Sequence, residues 1–318
     1  MQHAVIDRFR VLEAAFRARC PRSERAYARF AALAALSAPQ DVETLIERCF
    51  EMRRDLDDGL GAWRAPSRPL RLVFAAALAS LGRRPADFFT ARAALNAERK
   101  RRGGRALSQG SACAAFALVA AGGYPHQVGD VYDLIESIAA PWWRRVAARE
   151  EILAATFAAL GETPEDAARR LIAARDALVT AGAPRSHAEA ASYEVALVQI
   201  DPGAVAAAWT ALNTAVRAHP GLRSGLGKTG LAVLATHGDG PRAAQDLRQG
   251  YDVASALQPR PGGKQAARLA LRLAQAHMGG GGAIGAAQDL SVLLAGQAAM
   301  TASIAASSAA VAAAAAAS

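Results

Sequence analysis

Lysine is nearly missing from this chain. Lys100, Lys228 and Lys264 are three of its 37 cationic side chains. Cysteine is scarce as well: Cys20, Cys49 and Cys113 lie far apart, with no CxxC pair and no Cys/His cluster at zinc-ligand spacing. The odd count argues against a disulfide scaffold and fits a reducing cytoplasm. Aromatic residues are only 6% of the chain, and segments alternating β-branched and aromatic residues are absent. The N-terminal stretch MQHAVIDRFRVLEAAF is broken by Asp7, Arg8, Arg10 and Glu13, so it lacks the apolar core of a signal peptide. There is no H-E-x-x-H, no G-x-S-x-G and no DxD-type pattern. No metal or cofactor is therefore expected, and no catalytic residue is assigned.

What is abundant is alanine, roughly a quarter of the 318 residues. Excess alanine and arginine together reflect a GC-rich genome rather than functional design. Alanine is also the best helix former, and the chain reads as all-α.

Prolines and glycines divide it regularly. Turn signals recur at SAPQ, GRRP, GGYP, GETP, DPG, GDGP and GGGG, with Pro39, Pro85, Pro125, Pro164, Pro202 and Pro241 roughly 40 residues apart. Glycine ends one helix and proline starts the next, so each signal is the tight corner of an αα-hairpin. A second ladder alternates with the first: Pro21-Arg22-Ser23, Pro66-Ser67, Leu107-Ser108, Pro141, Pro184-Arg185-Ser186, Leu222-Arg223-Ser224 and Pro261. These are the connections between hairpins, and their serines are placed to N-cap the helices that follow. Between the signals, Ala167, Leu171, Ala174 and Leu178 form one apolar stripe, and Ala244, Leu247, Tyr251 and Ala254 form another.

About seven hairpins of roughly 40 residues are expected, stacked as an α-solenoid because no single hairpin can bury its stripe. A closed α/α toroid has the same local pattern, and the sequence leaves the two open. Residues 1–289 read as one helical-repeat domain. Residues 290–318, uncharged and alanine-rich, read as a capping helix with a frayed end. Their alanine, serine and glutamine give little drive into a bilayer, so no membrane association is expected.

Four features are candidates for function. In HPGLRSGLGKTGLAVLATHGD, Gly227-Lys228-Thr229 resembles a phosphate loop. The glycine required five residues before Gly227 is Leu222, however, and a helical segment precedes the loop where a strand is needed. Lys228 is expected on the outward face of a helix start.

The net charge of +9 is concentrated between Gly61 and Ala106, where eleven cationic side chains meet only Asp87 and Glu98. Within that stretch Arg92, Arg99, Lys100, Arg101, Arg102 and Arg105 are a candidate basic patch for nucleic acid or an acidic protein. The alternative is a helix C-terminus stabilised by cations and ended by Gly103-Gly104. Trp63-Arg64 and Trp142-Trp143-Arg144 sit on the connection ladder with Arg185, Arg223 and Lys228. They are candidates to line a binding groove, or else the tryptophans wedge hairpins together. The acidic pairs Glu150-Glu151 and Asp57-Asp58 read as surface helix residues, and the histidines are scattered.

The stretches GAWRAPSRPLRLVFAAALAS, APWWRRVAAREEILAATFAAL and GLRSGLGKTGLAVLATHGD, followed by the alanine-rich tail, resemble a bacterial family of helical-repeat proteins known only as a domain of unknown function. The likeness covers most of the chain after about Gly59. It implies the helical architecture and carries no catalytic residue. The functional expectation is a cytoplasmic protein-interaction scaffold or adaptor with a groove. The alternatives are a toroid enzyme with a central cavity and a basic-patch nucleic-acid binder.

Overall fold

A computed structural model describes residues 2–61, 65–138, 147–197, 201–226, 228–258 and 260–278. These residues form fifteen α-helices and three 3₁₀ turns, with no strand among them. The helices fall into seven pairs. The first members are α1 (Gln2–Arg19), α3 (Val42–Gly59), α5 (Pro85–Arg102), α7 (Val128–Ile138), α9 (Pro164–Thr180), α11 (Pro202–Arg217) and α14 (Gly240–Ala256). The second members are α2 (Ala28–Ala34), α4 (Arg68–Ser80), α6 (Ala112–Ala120), α8 (Ala147–Ala159), α10 (Arg185–Val195), α13 (Lys228–Ala235) and α15 (Gly263–His277). A short α12 (Pro220–Gly225), not anticipated from the sequence, interrupts the connection from α11 to α13.

The second members pack side by side in chain order, and α15 then packs back onto α2 and α1. The array is closed. Of the two arrangements the sequence left open, the ring is the one observed, with the second members inside and the first members outside. Burial explains the division. Every residue of α6, of Leu70–Ala79 in α4 and of 150–158 in α8 is buried. A helix apolar on all sides belongs in an interior, and one with a single stripe belongs at its edge. The outer helix α9 buries Ala167, Ala174 and Leu178, half-buries Leu171, and exposes Glu165, Arg169 and Asp176.

Small residues set the spacing. A Cβ added at Gly250 in α14 would lie 2.8 Å from the Ala270 carbonyl oxygen of α15, so these two backbones meet with no room for a side chain.

The closure has its own apolar cluster. Phe9, Leu12 and Phe16 of α1 are fully buried in one group with Leu269 and Leu273 of α15 and Ala254 of α14. Arg17 donates across the seam to the Gln258 carbonyl at 2.5 Å.

Because inner and outer helices alternate in direction, the ring has two different ends. One carries the inner-to-outer corners. There Gln127 donates to the Ala158 carbonyl at 2.8 Å, tying adjacent corners together. Gly122 and Gly238 take left-handed φ values of 87° and 74° at these corners, as a helix-ending glycine allows. Asp41, Thr163, Asp201 and Asp239 cap the outer helices by accepting backbone N–H bonds from Thr44, Asp166, Ala204 and Arg242.

The other end carries the outer-to-inner connections, and here the expected serine caps do not form. Ser67 holds the N-cap position of α4 without a side-chain cap bond. Ser186 lies inside α10, whose N-cap is Pro184. Ser108 turns its hydroxyl to Glu151 instead.

Lys228 and Thr229 of the GKT segment fall on α13, and Gly227 lies outside the described residues. Lys228 opens α13, and helices α11 and α12 precede it. The strand that a phosphate loop requires is not there. Cys20, Cys49 and Cys113 are all free and buried. No helix among the described residues is long and apolar enough to cross a membrane.

Candidate functional site

The connection end holds a buried charged cluster that the sequence reading put on the surface. Glu150 and Glu151 are the fourth and fifth residues of the inner helix α8, and each is at most 1% exposed. A charged pair in the first turn of a helix is ordinarily solvated, but α8 belongs to the inner ring and has no solvent face. The run ILAATFAA directly after the pair is apolar on all sides, and it was the available sign of an interior helix.

Arg105, in the connection before α6, reaches Glu150 at 3.7 Å and Glu151 at 3.9 Å. Ser108 donates its backbone N–H to Glu151 Oε2 at 2.8 Å and its hydroxyl to Oε1 at 3.2 Å. On the next inner helix Glu194 is also buried, 3.8 Å from Arg149. Burial pushes the Glu151 carboxyl up to about 7, against the pull of Ser108 and Arg105. Burial likewise raises Glu194 to about 7, opposed by Arg149. The residues just after Ser108 are unusual. Gln109, Gly110 and Ser111 are all left-handed, with φ of 51°, 63° and 67°. Arg92 holds the Gly110 carbonyl at 2.9 Å, and Ser111 donates to Asn96 Oδ1 at 3.1 Å.

These carboxyls have a testable pH signature. A carboxyl raised on folding stabilises the native state fully below its unfolded value, and that contribution is lost as pH rises through the folded value. For Glu151 the window runs from 4.5 to about 7. Gln cannot ionise, so Glu151→Gln is expected to gain stability relative to the parent as pH rises through this window. Urea midpoints at pH 5 and pH 8 measure it, and an equal difference at both pH values would refute the assignment.

The other acidic pair is split. Asp57 is half-buried and accepts from Arg53 Nε at 2.9 Å and Arg71 Nη1 at 3.1 Å, while Asp58 is exposed.

The basic stretch largely finds partners within the fold. Arg101 and Arg102 both bind Glu98, and their hydrogen bonds hold its carboxyl down at about 2. Arg102 also reaches Asp133 at 2.5 Å and lies over the Tyr132 ring. Gly103 caps α5 at φ 63°. Arg99 is half-buried and Lys100 exposed.

Of the other singled-out residues, Arg185 is exposed, 3.5 Å from Glu189, and Arg223 is exposed on α12. Trp63, Arg64, Trp142, Trp143, Arg144 and the Lys228 side chain lie outside the described residues. His219 caps α12 by accepting from Leu222 N–H at 3.4 Å, and His277 pairs with Asp246 at 2.8 Å. No group of three His, Cys, Asp or Glu among the described residues is arranged to hold a metal ion.

Large apolar side chains are exposed chiefly in one sector. Tyr124 stands at the α6–α7 corner, 63% exposed, and stacks on His126. Leu160 stands at the adjoining α8–α9 corner, and Ile172 and Val179 project from α9. Comparison with protein-family models, with curated proteins and with solved structures finds no match to this chain.

Proposed function

We propose that this chain is a ring-shaped protein-interaction module that docks another protein on the outer face of the α8–α9 pair. One observation carries the reading. Of the five large apolar side chains exposed among the described residues, Tyr124, Leu160, Ile172 and Val179 share this sector, and only Val11 lies elsewhere. Ile172 and Val179 are seven residues apart, so they share one helix face. The two corners touch, since a Cβ at Gly123 would lie 2.8 Å from the Ala159 Cβ. An apolar strip beside the charged Arg169 and Asp176 suits a protein surface with a matching core and polar rim. In a closed ring the outer face replaces the groove expected of an open array. The free, buried thiols fit a reducing cytoplasm.

The test places a photo-crosslinker at position 172 in cells of the native host. The expected result is one saturable adduct, lost when Ile172→Glu and Val179→Glu are introduced around a crosslinker at Leu160. Equal labelling from a crosslinker at Glu43, or adducts that survive the double variant, would refute the reading.

A second reading, an enzyme built on the ring, draws on Glu151. A buried carboxyl titrating near neutrality, set beside Arg105 and Ser108, suits proton transfer. A metabolite consumed by the parent protein and untouched by Glu151→Gln would favour this reading over docking.

A further inference from the structure

We propose that the connection end of the ring binds the phosphate backbone of a nucleic-acid duplex. The inference is independent of the α9 face and rests on how charge divides between the two ends. The connections and the helix starts they lead into expose Arg22 and Arg25 before α2, Arg68 as the first residue of α4 and Arg105 before α6. Further round they expose Arg185, then Arg217 and Arg223, then Arg260 and Lys264. None of the described residues in these connections is an exposed acid; Glu24 is buried against Arg53. Asp58 and Glu136, in the last turns of α3 and α7, are exposed acids at the border of this end. The corner end is mixed, exposing the acids Asp41, Glu165, Asp201 and Asp239 together with the cations Arg84 and Arg242, the first of them paired with Asp87.

The cations at the connection end are also available. Arg105 and Arg185 have acids at 3.5–3.9 Å, but no ion pair engages the other seven among the described residues. All the inner helices start at this end, so their dipoles add positive potential of the same sign.

The chemistry selects the partner. Guanidinium forks match phosphate oxygens in pairs. Cations spread over six connections suit an extended, evenly charged backbone better than the compact acidic patch of a folded protein. Among the described residues no large apolar side chain is exposed in these connections, so none of them anchors a bilayer surface. A duplex carries about twice the backbone charge per length of a single strand, which suits cations distributed round a ring end, and tighter binding to a single strand of equal length would overturn the assignment. Of the basic run ending α5, the contact takes in Arg105, while Arg101 and Arg102 are held by Glu98 and Asp133.

The test is fluorescence anisotropy of short labelled DNA and RNA duplexes against the full chain. With about four phosphates engaged, log Kd should rise with log salt at a slope of about 3.6, or roughly 100-fold between about 50 and 200 mM. Arg22→Glu, Arg25→Glu, Arg68→Glu and Arg223→Glu together should weaken binding at least about 100-fold, while Arg84→Glu with Arg242→Glu, exposed at the opposite corner end, changes it less than about threefold. Circular dichroism checks that each variant is folded. Tighter binding to DNA or to RNA identifies the duplex, and either supports the proposal. No saturable binding at the lower salt would overturn it, as would an unaffected rim variant. Tighter binding to phosphatidylserine vesicles or to polyaspartate than to either duplex would also overturn it.

Discussion

Arg53→Met is expected to destabilise the protein by about 3–5 kcal/mol, the usual cost of breaking one side of a buried ion pair. Arg53 Nη1 and Nη2 donate to the two oxygens of Glu24 at 2.9 and 3.2 Å, and Nε donates to Asp57. Glu24 and Arg53 side chains are 8% and 10% exposed. Asp57 in turn holds Arg71, which also donates to the carbonyls of Pro66 and Gly61 at 2.9 Å. The network therefore joins the α1–α2 connection, the end of α3 and the start of α4. Methionine keeps much of the arginine stem's volume and removes the charge, so Glu24 is left buried without its counter-ion. The companion variant Glu24→Leu with Arg53→Met removes both charges and should recover most of the loss, because apolar replacement of a buried pair is often neutral or better. Asp57 keeps Arg71 in that variant. Urea unfolding of the two proteins decides the matter. A single variant within about 1 kcal/mol of the parent, or a double variant no better than the single, would mean that the pair is solvated and weak.

Local features were legible in the sequence, and features joining distant residues were not. The proline and glycine ladder marked the corners because helix ends are written in a few adjacent residues. The stripes through Ala167–Leu178 and Ala244–Ala254 likewise fell on α9 and α14. Closure depends on residues such as Arg17 and Gln258, which no local pattern relates. The same gap explains Glu150 and Glu151. Whether a charged helix start is solvated depends on which ring its helix joins, and the pair itself reads alike in both. The serine caps failed for a related reason. Ser108 has a stronger acceptor in Glu151, supplied by a helix about 40 residues further along the chain. The charge division between the two ends emerges only once alternate connections are known to share an end.

Phe16→Ala should test closure directly, with an expected loss of about 3–5 kcal/mol from the cavity and the lost burial. Phe16 is fully buried in the seam cluster with Leu12, Leu269 and Leu273. In an open array, repeats contact only their neighbours, so the damage would stay in the first hairpins and fade along the chain. In the closed ring α1 is also a neighbour of α15, and the damage must appear at both ends of the described chain. Native-state hydrogen exchange separates the two cases. The variant should lose amide protection in α1, α2 and α15 together, while α7 and α9 on the far side keep theirs. Leu269→Ala, placed on the other side of the seam, should give the reciprocal result with a smaller cost of about 2–5 kcal/mol. Loss confined to α1–α4 in the first variant, with α15 unchanged, would show that the ring does not close in solution. The same experiment bears on both proposed surfaces. The α9 face needs only its own pair of helices, whereas the basic end needs its connections held in one plane. Opening the seam should therefore weaken duplex binding and spare docking on α9.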